Sequence, residues 1–133
     1  MTDRDTQAFL KTVDLFQDLS DRDLLEIAVA MKHREYRAGD SIVVEGDGGI
    51  GFFVVRSGAA TVHRGGKAVA RLEPGSSFGE VAVLAAGPRS ASVVADSDLA
   101  CLAMIAWTFR PMVRSHPSVA FKLLERMAHQ LAN

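Results

Sequence analysis

The stretch "GDSIVVEGDGGIGFFVVRSGAATV", residues 39–62, sets the fold class. Three short β-prone runs, "SIVVE", "GFFVVR" and "ATV", are separated by glycine clusters rather than by helical spacing. Runs of that length, bounded by turn residues, are read as antiparallel strands. The same rhythm continues outward. "KAVARL", "ASVVA" and "LACLAMI" follow, with turn signals at Gly65-Gly66, Pro74-Gly75, Gly87-Pro88 and Asp96-Ser97-Asp98. Gly65-Gly66 suits a two-residue hairpin, where both central residues need positive φ. Pro74-Gly75 suits a type II turn. The expected centre of the molecule is an antiparallel sandwich or barrel from Arg34 to Ile105.

Helices flank it. Ser20-Asp21-Arg22-Asp23 reads as a helix start, with Leu24, Ile27, Ala28 and Met31 on one face. Phe9, Leu10, Val13 and Phe16 suggest a shorter helix before it, within a helical block over 6–31. After Trp107 the chain is helical again, with Pro117 at a first helical position. Ala120, Leu123, Leu124, Met127, Ala128 and Leu131 form an apolar stripe that suits packing on the sheet, a dimer seam or a moving lid.

Composition narrows the function classes. The 133 residues are 48% hydrophobic and carry a net charge of -1. That balance gives no broad attraction to DNA or anionic lipid. The apolar runs fall short of the roughly 18 residues a membrane span needs. The N-terminus is acidic and lacks a signal-type apolar region, so a cytoplasmic protein is expected. The single cysteine, Cys101, reads as a small buried hydrophobe.

Several motifs are set aside. "GDGGIG" matches a dinucleotide fingerprint through Gly46, Gly48 and Gly51, but it opens "FFVVR", a strand rather than the required helix. None of His33, His63, His116 and His129 pairs with another histidine or with Cys101 at metal-ligand spacing, so no metal is expected. No serine sits in a nucleophile elbow, and no enzyme is expected. The basic cluster "KHREYR", residues 32–37, reads as a solvated strand edge.

One stretch remains. "FGEVAVLAAGPRSAS", residues 78–92, places a carboxylate, Glu80, and a guanidinium, Arg89, in apolar and small surroundings. Gly79 permits close backbone approach, and a helical turn at "EVAVL" offers amides to an anion. Arg89, stiffened by Pro88, presents a fork suited to two phosphate oxygens, with the Ser90 hydroxyl beside it. Glu80 accepts from hydroxyls. A phosphorylated sugar has both kinds of group.

At these residues the chain resembles the cyclic nucleotide-binding domain family, over about Phe9 to Leu131. Residues 39–62 resemble its sheet signature, and residues 78–95, "FGEVAVLAAGPRSASVVA", its phosphate-binding cassette. The resemblance implies an eight-stranded, jelly-roll-like β-roll with N-terminal helices and a C-terminal helix pair, all in one domain over 1–133. It implies that Arg89 pairs with the cyclic phosphate, Ser90 adds a hydroxyl, and Glu80 binds the ribose 2′-hydroxyl. The backbone of Gly79 and Ala82 completes the cradle, and Val62 and Leu72 wall the purine. The implied ligand is cAMP, with cGMP as the alternative, because a hydroxyl at Ser90 suits either. The Glu80 to Arg89 spacing resembles the kinase-regulatory and channel branches. The sequence given stops at Asn133 without a recognition helix, so a stand-alone sensor without direct DNA binding is expected. It would signal through its C-terminal helix to an effector protein, or pair with a second copy there. The competing expectation is a β-roll interaction domain that binds no nucleotide.

Overall fold

The computed structural model describes residues 2–46, 51–80 and 91–132, with side chains described as far as 129. The chain opens with α1 (Asp3–Leu10), a 3₁₀ turn (Asp14–Phe16) and α2 (Asp21–Ala30). The strands follow: β1 (Lys32–Tyr36), β2 (Ser41–Val43), β3 (Gly51–Ser57), β4 (Ala60–Arg64), β5 (Lys67–Leu72), β6 (Ser77–Phe78), β7 (Ser92–Ala95) and β8 (Leu99–Ile105). Two helices close it, α3 (Ala106–Ser115) and α4 (Pro117–Ala132). Among the described residues the strands form two four-stranded sheets, in the orders β1-β8-β3-β6 and β2-β7-β4-β5. Every pairing is antiparallel. This is the expected eight-stranded roll with flanking helices.

Local chemistry explains the turns. Gly65 and Gly66 take φ of 60° and 80°, and Arg64 pairs with Lys67 across them. The Ser76 amide donates to the Glu73 carbonyl at 2.9 Å across Pro74-Gly75. Ser20 caps α2, accepting from the Asp23 amide at 3.1 Å, an interaction worth about 1 kcal/mol. Gly51 opens β3, so "GDGGIG" leads into a strand, as expected.

The central strands divide their side chains between two cores. Phe52, Val54, Leu102 and Met104 point to the helices, while Phe53, Val55, Cys101 and Ala103 point into the roll. Both faces of β3 and β8 are thus buried, which is why their sequences are continuous apolar runs rather than alternating ones. On the helix side Phe52 stacks on Phe109 at 4.5 Å and meets Phe16 edge-on at 6.4 Å.

Three expectations change. Phe9, Leu10, Val13 and Phe16 do not share a helix. Thr12 donates from both its amide and its hydroxyl to the Phe9 carbonyl, and α1 gives way to the 3₁₀ turn. The sheet begins at Lys32, because "KHREY" forms β1; among the described residues it pairs only with β8, and it is largely exposed, an edge strand as the basic cluster suggested. The α4 stripe is narrower than its periodicity implied. Val119 and Leu123 are in the core, with Ala120 packed against it, but Leu124 is 62% exposed.

Candidate functional site

The site is built where β6 ends. β6 pairs with β3, setting Phe78 opposite Phe53, and the two rings stack at 5.0 Å and 9°. This anchors the strand before the chain turns. Gly79 then takes φ of 95°, a conformation that disfavours any side chain. The reversal delivers Glu80, in helical conformation, to an interior position that is 7% exposed. Among the described residues only Thr6 is a comparably buried polar side chain. A carboxylate in such a place is costly unless polar partners compensate it, so its burial marks a constructed polar site.

Of the expected purine-wall residues, Leu72 ends β5 and is buried in the roll core, while Val62 on β4 is half-buried and packs against that core. The register sets Leu72 opposite Ala60 and Val62 between Ala70 and Val93. Phe53 and Phe78 belong to the same apolar cluster. The structure therefore brings Val62, Leu72 and the strand leading to Gly79 and Glu80 onto one interior. Ala82, Arg89 and Ser90, with the rest of 81–90, lie outside the described residues.

Sequence reasoning missed how α4 is held. Arg126 donates from Nη1 to the Ser77 hydroxyl at 2.7 Å, and its Nη2 lies 3.9 Å from the Asp14 carboxylate. Lys122 donates to the Asp14 carbonyl and pairs with Asp18 at 3.3 Å. The final helix is thereby tied to the 3₁₀ turn and to β6, three residues before Glu80. No local signal announces a contact across 49 positions.

A second set of polar groups lies away from the roll. Asp23 and Glu26 of α2 meet His116 at the α3–α4 junction. Spacing among histidines and cysteine alone could not find it, because two of its three members are carboxylates. Cys101 is buried as expected, and burial pushes its thiol up to about 12. No helix among the described residues is long and apolar enough to cross a membrane.

Residues 33–116 match the family described as cyclic nucleotide-binding domain. The chain is 36% identical over 91 residues to a cAMP-dependent protein kinase regulatory subunit of Hypocrea atroviridis, covering 68% of this chain and 20% of that protein. It is 37% identical over 118 residues to Glutaminase 2 of Bradyrhizobium diazoefficiens, covering 86% of this chain and 19% of that one. It therefore spans about a fifth of the length of these relatives. Among solved structures it resembles the catabolite activator protein of Thermus thermophilus, with TM-score 0.81 and 33% identity, covering 89% of this chain and 58% of that one. It also resembles the N-terminal domain of a transcriptional regulator from Streptomyces coelicolor A3(2), with TM-score 0.75 and 29% identity, covering 93% and 92%. The matched family is described by binding rather than by a reaction. With the motif pair, the two-sheet roll and the buried glutamate in agreement, the chain belongs to the cyclic nucleotide-binding domain family.

Proposed function

We propose that residues 1–133 act as one cytoplasmic sensor domain that binds cAMP, with cGMP as the alternative ligand, and reports occupancy to a partner protein through α4. The observation that carries this reading is Glu80, a carboxylate buried directly after a positive-φ glycine within the span matching the family. In this reading Glu80 accepts from the ribose 2′-hydroxyl, and Arg89 and Ser90 hold the cyclic phosphate. The backbone of Gly79 and Ala82 completes the cradle, and Val62 and Leu72 contact the purine. A guanidinium and main-chain donors in a dry pocket suit a monoanionic ester, since low local dielectric strengthens each contact.

Transmission follows from the tether at Ser77. Ligand engaging Glu80 acts on the segment directly joined to β6, and the Arg126–Ser77 bond ties β6 to α4. Differential binding to two docked positions of α4 would shift their populations. The outward side of the helical end offers a surface on which a partner, or a second copy, reads the change. Phe121 and Leu124 of α4 are each 62% exposed, and Trp107 of α3 is 79% exposed.

The test is calorimetric titration of the chain with cAMP and with cGMP. Micromolar binding or tighter, about -8 kcal/mol, is expected for cAMP. Absence of heat and of any thermal shift at millimolar nucleotide would leave the roll as an interaction domain without a nucleotide.

A further inference from the structure

We propose that Asp23, Glu26 and His116 form a site for one divalent transition-metal ion of the zinc class, separate from the nucleotide pocket. Asp23 and Glu26 are three residues apart on α2 and so share a face of the helix. Ser20 fixes the turn that carries Asp23 by accepting from its amide. His116 arrives from the opposite side, between α3 and α4, where its carbonyl accepts from the Val119 and Ala120 amides at 3.0 and 3.2 Å. Its side chain is 11% exposed, so its ring is set by packing rather than by solvent.

The imidazole is oriented as a ligand. Nδ1 lies 2.8 Å from the Met112 carbonyl, and a carbonyl only accepts, so the proton of the neutral ring sits on Nδ1. The Nε2 nitrogen is then the one free to take a metal, and Asp23 Oδ1 lies 3.7 Å from it. A backbone carbonyl holding the far nitrogen of a metal-ligating histidine is the usual outer-sphere arrangement. One donor atom from each residue lies within 4.8 Å of the others. Metal–ligand bonds of about 2 Å need donors somewhat closer than this. Glu26, 62% exposed, has the freedom to close the gap.

Charge and ligand type choose the ion. Two carboxylates balance a divalent charge, and solvent fills the remaining positions on the exposed side. The imidazole favours zinc, cobalt or nickel over magnesium and calcium, which take oxygen ligands. The cation competing for Glu26 is weak: Arg22 Nε is 3.9 Å away on a side chain 88% exposed. A bound ion would staple α2 to the junction from which α4 departs.

The experiment uses the full chain without a histidine tag and without nucleotide, so its outcome is independent of cAMP binding. Zinc chloride titrated by calorimetry should saturate at one ion per chain and raise the melting temperature, and cobalt(II) should develop ligand-field absorption. Glu26→Gln and His116→Gln should each weaken zinc binding about tenfold or more. Glu26→Gln alters an exposed side chain, so it keeps the test decisive should His116→Gln fail to fold. No binding at millimolar zinc would overturn the proposal. So would zinc binding that Glu26→Gln leaves unchanged, or magnesium binding as tight as zinc.

Discussion

The β1-β8-β3-β6 sheet has a helix side and a roll side, and they are filled differently. Toward the helices, Phe16, Phe52, Phe109, Leu15, Leu24 and Leu102 close to 1% exposure or less. Toward the second sheet the cluster includes Ala60, Ala95, Cys101 and Ala103, with Phe53, Leu72 and Phe78 at 7–9% exposure around them. Large interlocking side chains make a rigid base. The roll side is filled by smaller side chains, with Phe53, Leu72 and Phe78 only slightly more exposed around them. In the proposed reading the first face serves stability and the second recognition, although alternate residues of the same strands build both.

The largest expected effect breaks the rigid side. Phe52→Ala removes a fully buried ring stacked on Phe109 and edge-on to Phe16, and should cost about 3–5 kcal/mol of stability in urea unfolding. Phe52→Leu, which leaves much of the volume filled, should cost clearly less. Equal losses for the two would mean that ring packing is not what holds the helices to the sheet.

On the recognition side the readout moves from stability to affinity. Arg89→Ala should weaken cAMP binding by about 2–5 kcal/mol while shifting the urea midpoint little. Glu80→Gln should weaken it less, because an amide oxygen still accepts from a hydroxyl. Wild-type affinity in Arg89→Ala would remove the phosphate role from that residue.

The link between the two sides should respond more mildly. Ser77→Ala and Arg126→Ala each delete the 2.7 Å bond from α4 to β6 and should cost roughly 0.5–1.5 kcal/mol. The double variant should cost less than the sum, because both lose the same contact. Hydrogen exchange in α4 should quicken in each single variant. If α4 exchanges as in the wild type, the tether does not govern docking of the helix.

The sequence carried most of this architecture wherever a residue's local chemistry decides its conformation. Glycine pairs and Pro74-Gly75 marked turns because positive φ and a fixed φ are intrinsic to those residues. Strands β3 and β8 were legible because burial on both faces demands unbroken apolar runs. β1 was read only as a charged edge, since it buries little and leaves no pattern in "KHREY". β6 is two residues long and exists through its pairing with β3. The break after Leu10 depends on Thr12 turning back to Phe9, a competition that periodicity does not register. Glu80 stood out because a charge among apolar neighbours needs a reason. The ties from Lys122 and Arg126 joined residues far apart in the chain and carried no such mark.

Cys101 offers the smallest and most local check on how closed the roll side is. It lies on β8 opposite Arg34 and Val55, faces the roll, and is 1% exposed. Burial raises its thiol from 9.0 to about 12, because the thiolate loses its hydration there. A raised folded value means the folded chain keeps a proton that the unfolded chain gives up. The contribution to stability is therefore intact below pH 9.0 and is lost as pH rises toward about 12. In native conditions at about pH 8 the thiol should resist an aromatic disulfide reagent, then react fully once urea unfolds the chain. Rapid reaction without denaturant would mean that solvent reaches the floor of the roll. The roll side would then be less closed than the buried residues around Cys101 indicate.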